Sequence, residues 1–219
     1  MTPTDFAQVR STMVEQQVRP WDVLDARVLD AMTHVPRDHF VGADRRTLAY
    51  ADLALPIGHG EVMMKPVVEG RMLQALNVLA TDEVLEIGTG SGYISACLGH
   101  LARNVLSIER HRELADSARA RLLASGTVCN VEVETADATR WDTTRRFDAV
   151  CVTGAVDTLP PRFLKWLRPG GRLFVVRGRA PVMEAVLLQT SAEGLQTTSL
   201  FETELPYLAG TAPVPAFQL

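Results

Sequence analysis

The sequence predicts an α/β fold: an open parallel sheet with helices on both faces, closed by an antiparallel strand extension. Three observations predict it. Short apolar or β-branched runs alternate with segments of helical length through the middle of the chain. One run, Val84-Leu85-Glu86-Ile87, enters the glycine-rich turn Gly88-Thr89-Gly90-Ser91-Gly92 and then a helical segment. Beyond Pro181 two strand patterns flank Ser191-Ala192-Glu193-Gly194, the signature of a hairpin.

The elements follow in order. Asp5 and Glu15 interrupt any apolar block at the start of the chain, which reads as neither a secretory signal nor a membrane anchor. Asp22 is expected to cap a first helix with Leu24, Val28, Leu29 and Met32 on one face, ended by Pro36. The stretch "IGHGEVMMKP", 57–66, reads as a loop joining that helix to a second. The second opens at Pro66 and carries Val68, Met72, Leu76 and Leu79 on one side. Strands are expected at 83–87, 104–109, 130–137, 147–153 and 171–178, with helices over 93–102 and 114–125.

A chain of 219 residues with no repeat and no dividing linker makes one domain, 1–219. It is organised as N-terminal helices and a substrate loop (1–80), a cofactor-binding core (81–180) and C-terminal strands (181–219). A domain of this size buries roughly 70% of its unfolded surface. With 22 basic and 26 acidic residues the net charge is -4, so no global positive field draws in nucleic acid or anionic lipid. No apolar run approaches the roughly 20 residues of a membrane span. The three cysteines lack metal spacing, and Cys97 and Cys151 sit in apolar runs as reduced core thiols. The expected location is the cytoplasm, with no metal and no membrane partner. Nothing in the sequence sets the oligomeric state.

The chemistry concentrates at the strand ends. Gly88, Gly90 and Gly92 permit a tight turn and a close ligand approach beside the positive end of the next helix, which suits a nucleoside-bearing cofactor. Glu109 ends the following strand, where an acid accepts both hydrogen bonds of a ribose diol. Two features separate a dinucleotide from S-adenosyl-L-methionine. The spacing is G-x-G-x-G, so the third glycine of the dinucleotide fingerprint is displaced. Glu86, shortly before the first glycine, would repel a pyrophosphate but suits an ammonium group. Asp137 follows the third strand as an acceptor for an adenine amino group, with the Ala138 N–H beside it. Ser91, Arg110 and Thr153 complete the candidate cofactor set. Singly, these acids could be strand-end charges or caps; together they converge on one crevice.

The segments "RVLDAMTHVPRDHFV", "ALPIGHGEVMMKPVVEGRMLQAL", "VLEIGTGSGY", "LSIER", "FDAVCVTGAVDTLP" and "LRPGGRLFVVRG" carry a resemblance to the protein-L-isoaspartate O-methyltransferase family over 27–210. That family lies within the class I S-adenosylmethionine-dependent methyltransferases. The resemblance implies a Rossmann-like sheet with N-terminal helices and a C-terminal strand extension. It implies cofactor roles for Glu86, Gly88, Thr89, Gly90, Glu109, Asp137 and Ala138, and methyl transfer to a carboxylate of a protein, peptide or small molecule. The chain departs from the family in its loop, where members typically read "IGxGQTISQP" with a hydroxyl pair at the substrate carboxylate. Here those positions are Val62 and Met64, and "GDG" after the third strand has become Ala136-Asp137-Ala138. Lys65 and His59 are the loop's candidate replacements as catalytic groups. The alternatives are methylation of a different small-molecule or nucleic-acid acceptor, and a noncatalytic cofactor-binding or partner-binding relative.

Overall fold

In the computed structural model, which describes residues 5–214, the first turn is set by Asp5. Its Oδ1 accepts from the backbone N–H groups of Ala7 and Gln8 at 3.1 and 3.2 Å and caps α1 (Phe6–Met13). The chain runs on through a π-helical turn (Val14–Val18) and a 3-10 turn (Arg19–Trp21), burying Met13, Val14 and Val18. Asp22 does not cap the next helix. It lies in the left-handed region with φ 62° and ends the preceding turn, while Asp25 caps α2 (Ala26–His34) by accepting from the Arg27 N–H at 2.9 Å. The Gln74 side chain fixes this start, its Oε1 accepting from the N–H groups of Leu24 and Asp25. Leu24 therefore falls outside the helix and is 68% exposed, whereas Val28 and Met32 are buried as expected.

The expected loop at 57–66 is a β-hairpin. Strands β1 (Leu55–Gly58) and β2 (Glu61–Met63) pair antiparallel across a two-residue turn, His59-Gly60, with φ 54° and 79°. Positive φ at both central residues matches the twist that a tight hairpin requires. Pro66 then opens α3 (Pro66–Leu76), which closes at Asn77 with φ 44°. Leu79 lies beyond that end and is 49% exposed.

The middle of the chain gives β3 (Glu83–Ile87), α4 (Tyr93–Leu101), β4 (Asn104–Glu109), α5 (Arg112–Ser125), β5 (Val131–Thr135), β6 (Phe147–Val156), α6 (Pro161–Lys165) and β7 (Leu167–Arg179). The hairpin β8 (Val182–Ser191) and β9 (Gly194–Glu202) completes a seven-stranded sheet of order β5-β4-β3-β6-β7-β8-β9. Neighbours from β5 to β7 pair parallel, and β8 and β9 are antiparallel. Side chains alternate between faces, so Val84, Ala149 and Cys151 pack with the N-terminal helices, α3 and α4. Leu85, Ile87, Val150 and Val152 enter a second core with Phe163 and Trp166. Among the described residues that second face carries only the short α6 and the irregular chain around Trp141, less helix than the alternation predicts. No helix among the described residues is long and apolar enough to cross a membrane.

Chain order reverses at β3: β4 and β5 lie to one side of it, β6 and β7 to the other. In such sheets the crevice outside the carboxyl ends at the reversal is where ligands bind. The carboxyl ends of β3, β4 and β6 carry Gly88, Glu109 and Thr153. After β9 the chain returns to the same place, with the N–H of Ala155 donating to Pro206 O and that of Leu208 to Ala155 O, both at 2.8 Å.

Candidate active site

The glycine turn is built from backbone geometry that side chains would disturb. Gly88 has φ +95°, and a Cβ there would stand 2.4 Å from Thr153 Oγ1. Thr153 in turn donates to the carbonyl of Ile87 at 3.0 Å, tying β6 to the end of β3. Gly90 has φ +52°, with Ile57 of the hairpin 3.1 Å from where its Cβ would be. The hairpin thus lies directly over the turn.

Around this turn opens a cavity with about 850 Å³ of empty space, the open solvent at its mouth included. Its floor is the glycine turn, with Glu86 beneath. One side is Glu109, whose Oε2 accepts from Gly90 N–H and whose Oε1 accepts from His111 N–H, each at 2.9 Å. The adjoining side is Ala136-Asp137-Ala138. Asp137 Oδ1 accepts from the N–H and the hydroxyl of Thr139 at 2.9 and 2.7 Å. Burial pushes the Asp137 carboxyl up, but these bonds and nearby arginines more than offset it and hold it below the usual range. Leu208 and Ala209 form a wall that no sequence pattern announces.

Glu86 is fully buried, and its Oε2 accepts from the hydroxyls of Ser107 and Ser95. Its Oε1 is buried without a hydrogen-bond partner, and the residue borders the cavity. Burial pushes this carboxyl up to about 8, with the Ser107 and Ser95 bonds pulling the other way. A proton kept in the fold but released by the unfolded chain above 4.5 means that stability falls as pH rises from 4.5 to about 8.

The hairpin wall consists of Ile57, Glu61, Val62, Met63 and Met64. Burial, and the charge of Glu109 after it, raise the Glu61 carboxyl. Met63 and Met64 are 4% exposed and line the cavity as apolar surface. Behind them is a group that the sequence analysis missed. Arg37, fully buried, donates to Ala49 O and Met64 O at 2.7 Å each and to the buried Glu69 carboxylate. Its guanidinium lies 4.9 Å from the centre of the Tyr93 ring. Its neighbours are distant in sequence, and only the surrounding motif "VPRDHFV" marked it.

The structure brings Glu86, Gly88, Thr89, Gly90, Ser91, Glu109, Arg110, Asp137, Ala138 and Thr153 to this one cavity, with Arg110 exposed at its edge. Gly92 is not among them. It opens α4 with φ +89°, and a Cβ there would meet Ala118 of α5 at 3.2 Å, so the position packs α4 closely against α5. Lys65 and His59 are not there either. Lys65 is exposed at the start of α3, where the chain turns away from the hairpin. His59 sits at the hairpin tip, stacked on His111 with ring centres 4.3 Å apart and 3.5 Å from Glu113. Neither lines the cavity, although His59 stacks on His111, which does.

A parallel sheet with a chain reversal at a glycine turn, acids at successive strand ends and an antiparallel extension defines the class I methyltransferase architecture. The chain belongs to the protein-L-isoaspartate(D-aspartate) O-methyltransferase family, whose model matches residues 8–199. It is 38% identical over 208 residues to the protein-L-isoaspartate O-methyltransferase of Koribacter versatilis, covering 94% of this chain and 93% of that one. A Synechococcus relative of the same name is 43% identical over 177 residues, 80% of this chain and 72% of the relative. Among solved structures, a Plasmodium falciparum chain described as a protein-L-isoaspartate O-methyltransferase, in complex with S-adenosyl-L-homocysteine, superposes with a TM-score of 0.80 at 18% identity, over 91% of this chain and 97% of that one. At that identity the likeness speaks for the fold.

Proposed function

We propose that the crevice holds S-adenosyl-L-methionine and that the chain methylates a carboxylate on a protein or peptide, the isoaspartyl residue being the acceptor named for its relatives. The observation that carries the reading is Glu86: a wholly buried carboxyl with one unpartnered oxygen, on a residue that lines the cavity. An orphaned acceptor in this setting costs about 1–3 kcal/mol and is matched by an ammonium donor. The remaining groups fit the rest of the molecule. Each Glu109 oxygen accepts one backbone bond and keeps a lone pair for a ribose hydroxyl. Asp137 is held through Oδ1, leaving Oδ2 for the adenine amino group.

When bound, S-adenosylmethionine supplies an electrophilic methyl group on a sulfonium. The chain's own contribution is alignment and exclusion of water, because a carboxylate acceptor is already ionised near pH 7 and requires no base. Ile57, Val62 and Met64 shield the region over Gly90, and Arg37 fixes that wall through Met64 O. A second reading, a different small-molecule acceptor, rests on Val62 and Met64 standing where the family carries hydroxyls. The net charge of -4 argues against nucleic acid. A cytoplasmic setting accords with three free cysteines, two of them buried.

Two results test the cofactor. Glu109→Ala weakens S-adenosylhomocysteine binding in calorimetry by about 1.5–3 kcal/mol, the worth of a charged hydrogen-bonding group; unchanged affinity in a folded variant removes Glu109 from the site. Binding also releases a proton, because an ammonium beside Glu86 favours the ionised form of a carboxyl otherwise held near 8. Affinity then rises with pH up to about 8, and the binding heat differs between buffers of different ionisation enthalpy. Glu86→Gln abolishes that difference, and a buffer-independent heat in the unmodified protein refutes the assignment of Glu86.

A further inference from the structure

Outside the crevice, at the junction of the N-terminal helices with the sheet domain, Asp30, His34 and His100 converge. We propose that these three side chains bind a divalent transition-metal ion, zinc above all, and that the ion bridges α2 to α4.

Asp30 and His34 are four residues apart on α2, so they project from one face of the helix. His100 comes from the last turn of α4, which packs beside α2. His34 Nδ1 is 3.1 Å from Asp30 Oδ1, and His100 Nε2 is 3.0 Å from Asp30 Oδ2. One ligand atom from each residue fits within a span of 4.8 Å. Tetrahedral zinc holds nitrogen and oxygen ligands at about 2.0–2.1 Å, which sets neighbouring ligand atoms about 3.3 Å apart. The two N···O separations, one to each oxygen of the Asp30 carboxylate, lie within a few tenths of an ångström of that edge, and rotation of exposed side chains brings the three ligand atoms from their 4.8 Å span onto one ion. The imidazole planes are 14° apart with centres 5.5 Å apart, both presenting a nitrogen to the same carboxylate.

Two further features favour a cation here. Both histidines lie in the last turn of their helices, where the partial negative charge of the helix end attracts positive charge. The side chains are 61%, 52% and 31% exposed for His34, Asp30 and His100, so an ion has free access and water can take a fourth position. The competing arrangement is an ordinary exposed pairing of imidazole with carboxylate, and such pairs contribute little. Metal binding displaces the hydrogen bond between His34 Nδ1 and the Asp30 carbonyl at 2.9 Å.

The test is calorimetric titration of zinc chloride into the full chain after treatment with chelator. One equivalent binds with a dissociation constant in the micromolar range, and the melting temperature rises with it. His34→Asn with His100→Asn weakens that site at least tenfold, and so does the near-isosteric Asp30→Asn, while S-adenosylhomocysteine affinity stays at the unmodified value and reports an intact fold. His59→Asn with His111→Asn, which removes the chain's other stacked imidazole pair, leaves zinc binding unchanged. Absence of a saturable site, its survival in the Asp30, His34 and His100 variants, or its loss in the His59 and His111 variant overturns the proposal.

Discussion

Arg37→Ala lowers stability by about 3–5 kcal/mol, the usual loss when one member of a buried ion pair is removed. The size of the effect follows from what stays behind. Glu69 is 1% exposed, and burial pushes its carboxyl up while the Arg37 charge and hydrogen bond pull it down. Without the guanidinium, burial and the charge of Asp52 act unopposed, so Glu69 either stays ionised unpaired or takes up a proton at neutral pH. The carbonyls of Ala49 and Met64 lose their donor at the same time. A domain has only about 5–15 kcal/mol in hand, so the variant sits near the threshold of folding. Urea denaturation measures the loss. Arg37→Lys restores the charge but not the fork that reaches three acceptors, and recovers part of the stability. Because Met64 O is one of those acceptors, turnover falls more than donor affinity in either variant. A loss under about 1 kcal/mol in Arg37→Ala would show that Glu69 is neutral in the native fold and that the pair is not ionic.

How far such features could be read from the sequence depended on how local their causes are. The strands at 83–87 and 104–109 coincide with β3 and β4, because a strand buried on both faces is a continuous apolar run cut off by turn residues. The acids at the strand ends were legible for the same reason: parallel register places the residue after each run at one edge of the sheet. The first helix start was not. Asp22 and Asp25 are equally good caps in sequence, and Gln74, about fifty positions away, decides between them. The hairpin was hidden by its shortness and by a turn with histidine in the left-handed region, where asparagine or glycine is the usual signal. Missing the hairpin misplaced Lys65 and His59, which are near the cavity in sequence but outside its walls. The role of Arg37 was hidden because its acceptors lie at 49, 64 and 69.

Val62→Thr with Met64→Ser raises isoaspartyl peptide methylation by up to roughly 100-fold, with donor affinity nearly unchanged. The resemblance implies a hydroxyl pair at these positions holding the acceptor carboxylate, and both residues line the cavity. In the unmodified chain, an acceptor carboxylate set against Val62 and Met64 loses water without gaining donors, which costs several kcal/mol. One donor aimed at a reacting centre is worth about 2.7–4 kcal/mol, and each 1.36 kcal/mol is tenfold in rate. The gain is feasible because the backbone at Met64 is already fixed by Arg37 through the carbonyl, so new hydroxyls enter a preset wall. Met64 is 4% exposed, so shortening it costs about 2–5 kcal/mol of stability, and rates must be compared well below the melting temperature of the variant. Donor affinity is unaffected because Glu86, Glu109 and Asp137 belong to the sheet edge and not to the hairpin. Labelled-donor assays on an isoaspartyl peptide decide the matter: slow turnover by the unmodified chain and a marked rise in the double variant support the hydroxyl account. Turnover by the unmodified chain equal to that of a relative carrying both hydroxyls sinks it, and leaves backbone N–H groups of the hairpin as the donors that align the carboxylate.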